Sequence, residues 1–175
     1  LPIAMGDLSE SAIFIDDTPG LGLLEIRAKA RRFKLQYDIQ LVIIDYLQLM
    51  EGRSAENRQQ EISSISRGLK ALARELNVPV IAVSQLNRSV ETREGHTPRM
   101  SDLRESGSIE QDADVIMLLH RADYYDPTKN PGEVDVDVAK QRNGPTGKIK
   151  LTFRNQFLRF ENFANDASID SFDTL

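Results

Sequence analysis

Apolar and polar positions along the chain alternate between two regimes, short aliphatic runs that stop abruptly at polar residues and longer stretches with apolar residues every three or four positions. The central run is Leu41-Val42-Ile43-Ile44, which leads straight into Asp45. Uninterrupted aliphatics of this length predict a strand buried on both faces, as in a parallel sheet, with Asp45 at its carboxyl end. The same theme recurs in Ala12-Ile13-Phe14-Ile15 before Asp16-Asp17, in Val80-Ile81-Ala82-Val83 before Ser84-Gln85, and in Val115 to Leu119 before His120-Arg121.

Helical spacing separates these runs. Leu23, Ile26, Ala30, Phe33 and Tyr37 predict an amphipathic helix whose opposite face carries Arg27, Lys29, Arg31, Arg32 and Lys34, a basic face expected to be solvated. Ile62, Ile65, Leu69, Leu72 and Leu76 predict a second helix, stopped near Asn77 because Pro79 cannot continue it. Leu86 to Ile109 reads as a long connection with Gly95, Pro98 and Gly107 as breakers, and connections of that length are usually functional or mobile. The last third changes to period two. Val134, Val136 and Val138, the turn Asn143 to Gly147, and Ile149, Leu151 and Phe153 predict an antiparallel hairpin, with a further short strand at Gln156 to Phe160. Strands joined by helical crossovers imply an α/β fold, a mostly parallel sheet flanked by helices with an antiparallel C-terminal extension.

Composition narrows the class. The 175 residues, 40% hydrophobic and 28% charged, suit one globular domain with a sizeable core. A net charge of −5 means that any nucleic-acid contact must come from local patches. The absence of cysteine removes disulfides and thiolate metal sites, which is compatible with a reducing cytoplasm, and the two histidines, His96 and His120, lack the spacing of a zinc site. No run approaches the roughly 20 apolar residues a membrane span requires. The acidic stretch after Phe163 is expected to be a flexible tail, giving a folded part at 1–163 and a tail at 164–175.

The chemistry should lie where the strands end. In open α/β sheets ligands bind outside the strand carboxyl ends, so Asp45 is a candidate for holding the Mg²⁺ of a nucleotide, against the competing reading that it caps the next turn. Parallel strands would bring Asp16, Asp17, Asp45, Ser84, Gln85, His120 and Arg121 to one edge. Gln85 suits a phosphate site because an amide donates to a phosphate oxygen and accepts from an attacking water, whereas a carboxylate would repel the phosphate; the alternative is a simple turn residue. From Lys140 to Arg159 there are six basic residues and no acidic one. Arg142 sits at a hairpin mouth, either solvated or aimed at a neighbour's site as an arginine finger in trans. In Arg104-Glu105-Ser106-Gly107-Ser108 small residues let backbone N–H groups approach a phosphate, or the loop packs for its own sake.

Four stretches converge on one family. Val42 to Met50 (VIIDYLQLM), Val83 to Arg88 (VSQLNR), Ser101 to Asp114 (SDLRESGSIEQDAD) and Lys140 to Pro145 (KQRNGP) resemble, in order and spacing, the C-terminal RecA-like domain of the bacterial replicative DNA helicases, the DnaB family. The resemblance reaches almost to Phe163. It implies a RecA-like P-loop NTPase core and a homo-hexameric, cytoplasmic motor that hydrolyses ATP with Mg²⁺ between subunits, moves on single-stranded DNA, and works with a primase and a helicase loader. It further implies that Asp45 is the Walker B aspartate holding Mg²⁺ through water, that Gln85 senses the γ-phosphate, that Lys140 and Arg142 reach the adjacent subunit's nucleotide, and that Arg104, Glu105 and Gly107 belong to a central loop gripping DNA.

One departure stands beside the matches. The chain contains no G-x-x-x-x-G-K-[ST] phosphate loop, and the family's catalytic glutamate has no counterpart in it. It is therefore expected to be the C-terminal portion of a longer motor, inactive by itself, with a gap or unpaired edge where the phosphate-loop strand would sit. Two rivals remain: another RecA-like ATPase of recombinase or clock type, and a non-catalytic single-strand-binding or interaction module.

Overall fold

The structure, a computed structural model, describes residues 6, 8–50 and 58–164. These fall into two compact units, one comprising residues up to Gln85 together with Glu105–Ala113, the other Leu86–Arg104 together with the chain from Asp114 onward. The segment 51–57 and residues 165–175 of the tail expected at 164–175 lie outside the described residues.

The first unit is built on two helices and a pair of parallel strands. Helix α1 spans Leu23–Tyr37. Glu25 accepts the Gly22 N–H at its start (3.1 Å), and Asp38, at φ 50°, ends it by donating its N–H to Lys34 O. Helix α2 spans Arg58–Leu76 and ends at Asn77, again left-handed at φ 52°. Between them lie strand β1 (Val42–Ile44), a 3₁₀ turn (Leu47–Leu49) and, after α2, strand β2 (Val80–Ala82). β1 and β2 pair in parallel with Ile44 opposite Ala82. The expected α2 stripe is realised: Ile65, Leu69 and Leu72 join Ala30 of α1 and Leu47 and Met50 of the 3₁₀ turn in one buried core. Gly68 permits the close approach of the helices, since a Cβ there would stand 2.1 Å from Leu23 Cδ2.

The basic face of α1 is not simply solvated. Arg27 and Arg31 share the Glu75 carboxylate of α2, and Lys29 reaches Asp16 at 2.5 Å. The guanidinium of Arg31, then that of Arg27, pushes the Glu75 carboxyl down to about 2. Two further expectations for this unit change. Ala12 to Ile15 forms no strand: Ile13 and Ile15 are exposed, and Phe14 stacks on Phe33 and Tyr37 of α1, which holds the segment against a helix rather than a sheet edge. β1 and β2 are buried on one face only. Val42 and Ile44 pack on the core while Ile43 is 62% exposed, because α2 and the 3₁₀ turn cover a single side among the described residues.

The second unit carries an antiparallel sheet in the order β3-β4-β5-β6, formed by Val115–His120, Glu133–Gln141, Gly147–Arg154 and Arg159–Asn162. The predicted hairpin is present, with Val134 opposite Leu151 and Val136 opposite Ile149. β3 differs from expectation: it pairs antiparallel with β4 in this sheet and is not a strand of the β1–β2 sheet. The last strand lies later than Gln156 to Phe160, because a 3₁₀ turn at Asn155–Phe157 and a left-handed Leu158 (φ 49°) reverse the chain first. A bulge in β4 pairs Ile116 with Lys140 but Met117 with Val138, so Ala139 is the extra residue. Ile116 and Met117 point to opposite faces, hence Lys140 is turned away from the side that Val138 occupies.

The long connection is constructed rather than loose. It contains 3₁₀ turns at Arg88–Val90, Glu94–His96 and Met100–Ser106 and leads into a short helix α3 at Gly107–Asp112. Asp102, only 3% exposed, organises the part that belongs to the second unit: both Arg93 guanidinium nitrogens donate to it at 2.7 Å, as does the Arg99 N–H. The Arg93 bonds first, with the Arg99 N–H adding to them, hold the Asp102 carboxyl below the ordinary aspartate range despite its burial. A carboxyl more acidic in the folded than in the unfolded chain adds stability above its unfolded value and loses it as pH falls through the folded one. Asp102→Asn leaves the Arg93 guanidinium without its counter-charge and is expected to destabilise the fold. Urea denaturation at neutral pH checks this, and the gap between variant and parent should narrow below pH 4 as the parent's own carboxylate protonates.

Candidate functional site

The carboxyl ends of β1 and β2 lie side by side, and three hydrogen bonds carry their pairing beyond the ladder. Val83 N–H donates to Ile44 O, Leu47 N–H donates to Val83 O, both at 2.9 Å, and Gln85 N–H donates to Gln48 Oε1 at 3.2 Å. Asp45 stands at the turn between them, exposed, and makes no hydrogen bond or ion pair with the described residues. The peptide bond from Asp45 to Tyr46 is cis. Leu47, 2% exposed, anchors the following turn in the core, so the Asp45 backbone hangs between a strand and a buried side chain. Gln48 Nε2 donates to Ser84 Oγ (3.1 Å) and to Gln85 O (3.2 Å). Asp45 and Gln85, both predicted, thus emerge together from adjacent strands. Gln48 was not predicted to have a role.

Asp16 and Asp17 join this edge by a different route. With Asp45, Lys29, Phe33 and Tyr37 they line a cavity of about 830 Å³ between α1, β1 and the segment that precedes α1. Asp16 accepts from Lys29, from the Thr18 hydroxyl (2.6 Å) and from the Thr18 N–H (3.2 Å). The Lys29 bond, followed by those of Thr18, holds the Asp16 carboxyl at about 2, so it stays ionised and committed to this pairing. Among the described residues no group of three or more His, Asp or Glu is placed to hold a metal ion by itself. A single exposed carboxylate nevertheless matches the way magnesium is held with a nucleotide, by one or two carboxylates, phosphate oxygens and retained waters.

Lys140 and Arg142 belong to the second unit, at the end of β4. Arg142 follows the last paired residue of the strand, as its predicted place at a hairpin mouth requires; its N–H donates to Asp114 O (2.8 Å) and its side chain lies 3.5 Å from Asp114 Oδ1 while remaining 48% exposed. The bulge at Ala139 sets the face of Lys140. Arg104 and Glu105 lie in the 3₁₀ segment Met100–Ser106, just after the non-helical Leu103, and Gly107 opens α3; their side chains lie outside the described set. The histidines, distant in sequence, meet on one ring: Tyr125 stacks on His96 at 4.0 Å and stands 6.4 Å from His120.

A parallel strand pair that presents a carboxylate and a carboxamide at its carboxyl edge is an α/β frame of the kind that binds ligands outside its strand ends. The family model of the DnaB-like helicase C-terminal domain matches residues 1–162, and the chain belongs to that family. It is 55% identical to the replicative DNA helicase DnaC of Bacillus subtilis over 97% of this chain and 38% of that protein. It is 56% identical to the replicative DNA helicase DnaB of Geobacillus stearothermophilus over 93% of this chain and 36% of that protein. The solved structure of a DnaB-like replicative helicase and its interactions with primase aligns with a TM-score of 0.88 at 46% identity, covering 94% of this chain and 40% of that one. The α/β fold is therefore the RecA-like fold of those helicases, and the chain spans well under half the length of the curated relatives it matches.

Replacing Lys29 by Met removes the first cause of the low Asp16 value. Carboxyl NMR titration should then find Asp16 moved from about 2 toward 3.8, whereas Glu75, paired with Arg31 and Arg27, should remain near 2.

Proposed function

We propose that this chain is the C-terminal part, residues 1–163, of the motor domain of a hexameric replicative DNA helicase. The observation that carries the reading is the joint presentation of Asp45 and Gln85 at one strand edge, within a family whose matched members are named replicative helicases. Asp45 would hold Mg²⁺. The bound magnesium nucleotide supplies a polarised γ-phosphate and charge neutralisation. Gln85 donates to a γ-phosphate oxygen and orients the attacking water. Lys140 and Arg142, mounted on a strand end, serve the nucleotide of the adjacent subunit, and the phosphate loop and catalytic glutamate come from the parent protein. Arg104, Glu105 and Gly107 contact the backbone of single-stranded DNA in the central channel.

The apolar faces left open, Ile43 and Ile81 in the first unit and Met117 and Leu119 in the second, are surfaces that further parts of such a domain would cover. The partners are single-stranded DNA, five further copies of the chain, a primase and a helicase loader, and the compartment is the cytoplasm. No helix among the described residues is long and apolar enough to cross a membrane.

The test is ATP turnover, with and without single-stranded DNA, by this chain and by its own gene extended through a phosphate-loop motif. DNA-stimulated turnover in the extended protein and none in the chain alone is the expected result. Turnover without any DNA dependence would remove the helicase reading. In the extended protein Arg142→Ala should lower kcat about 10³-fold or more while nucleotide binding is retained. Arg104→Ala should weaken DNA binding evenly across sequences and reduce the salt slope by about one unit, as loss of one phosphate contact requires.

A further inference from the structure

A side-chain amide offers N–H donors and a C=O acceptor in one plane, so it can pair with a peptide unit as another strand would. Gln48 does this at the edge of the sheet. Its Oε1 accepts from Gln85 N–H at 3.2 Å and its Nε2 donates to Gln85 O at 3.2 Å, while the same Nε2 also reaches Ser84 Oγ at 3.1 Å. The peptide groups flanking the Gln85 Cα are therefore both held by one side chain. Gln48 is itself fixed at its root. It lies in the 3₁₀ turn Leu47–Leu49, whose Leu47 is buried and donates its N–H to Val83 O, and Met50 just beyond is buried in the same core. Asp45 lies three residues before Gln48 on this same stretch of backbone. A bonded connection thus runs from the backbone that carries Asp45, at the end of β1, to the backbone of Gln85 beyond the end of β2.

We infer that Gln48 is a positioning residue for the reaction: by pairing with the Gln85 peptide it fixes the direction of the Gln85 side chain relative to Asp45. The inference rests on the role proposed above for Gln85. Gln48 touches no reacting atom and acts through the backbone of its neighbour. Losing the clamp would leave Gln85 at the free end of a short strand, where small displacements of a group that orients a water or a phosphate oxygen are costly to the rate.

The experiment uses the gene extended through its phosphate loop, and compares Gln48→Met, Gln48→Glu and Gln85→Ala by ATP turnover. Met keeps the length of the side chain and removes both bonds; Glu keeps an acceptor for the Gln85 N–H but loses the donor. The expected result is a kcat lowered about ten- to a hundredfold in Gln48→Met, with KM for ATP within about twofold and an unchanged oligomeric state. Gln48→Glu should fall between Gln48→Met and the parent, which a purely structural requirement for bulk at this position would not produce. If Gln85→Ala lowers kcat while both Gln48 variants stay within about twofold of the parent, the positioning role is overturned and that of Gln85 stands. If Gln85→Ala itself leaves turnover unchanged, the reading of Gln85 fails and the inference fails with it. Should Gln48→Met not fold, Gln48→Glu alone decides between these outcomes.

Discussion

The site depends on the parallel pairing of two three-residue strands, a short ladder that further hydrogen bonds extend at its carboxyl end. Beyond Ile44 and Ala82 the backbone bonds through Val83 continue the pairing, and Gln48 then substitutes a side-chain amide for a missing peptide. The core beneath supplies the stiffness: Leu47 and Met50 on one side of the turn and Leu69 and Leu72 of α2 on the other are all buried. Each buried aliphatic of this kind contributes roughly 1.5–3 kcal/mol, whereas each neutral hydrogen bond adds about 1 kcal/mol. Burial therefore holds the frame in place, and the hydrogen bonds carry the strand pairing out to the Gln85 backbone.

Charge is used locally for the same purpose. Glu75 gathers Arg27 and Arg31 and ties α1 to α2, Asp16 is committed to Lys29 and Thr18, and Asp102 gathers the turns between Asn87 and Leu103 around one carboxylate. Among these acids Asp102 alone is buried, and it accepts from both Arg93 and the Arg99 N–H. Asp45, by contrast, has no partner among the described residues, which suits a group reserved for a ligand.

How much of this was legible in the sequence differs from residue to residue for physical reasons. The stripe from Ile62 to Leu76 and the alternation of Val134, Val136 and Val138 were readable because periodicity is local and both elements bury one face. Asp45 and Gln85 were readable because an aliphatic run ending in a polar group marks a strand terminus. The one-sided burial of β1 was not, since an all-apolar run looks the same whether one face or two is covered. The antiparallel partner of β3 and the bulge at Ala139 depend on pairing across distant residues. Ala12 to Ile15 read as a strand on composition, but Phe14 found the rings of Phe33 and Tyr37 instead. Gln48 escaped notice because an amide that pairs with a peptide leaves no pattern in the residues around it.

On the proposed function one chain contributes to two different sites, Asp45 and Gln85 to its own and Lys140 and Arg142 to a neighbour's. Subunit mixing in the protein extended through its phosphate loop tests this most directly, with Asp45→Asn, which spoils a subunit's own site, combined with Arg142→Ala, which spoils its service to the next. Each variant alone should be inactive, and mixing them should restore part of the DNA-stimulated ATP turnover, because some interfaces then join an intact Asp45 to an intact Arg142. Turnover that stays absent at every mixing ratio, in rings shown to contain both variants, would contradict the account.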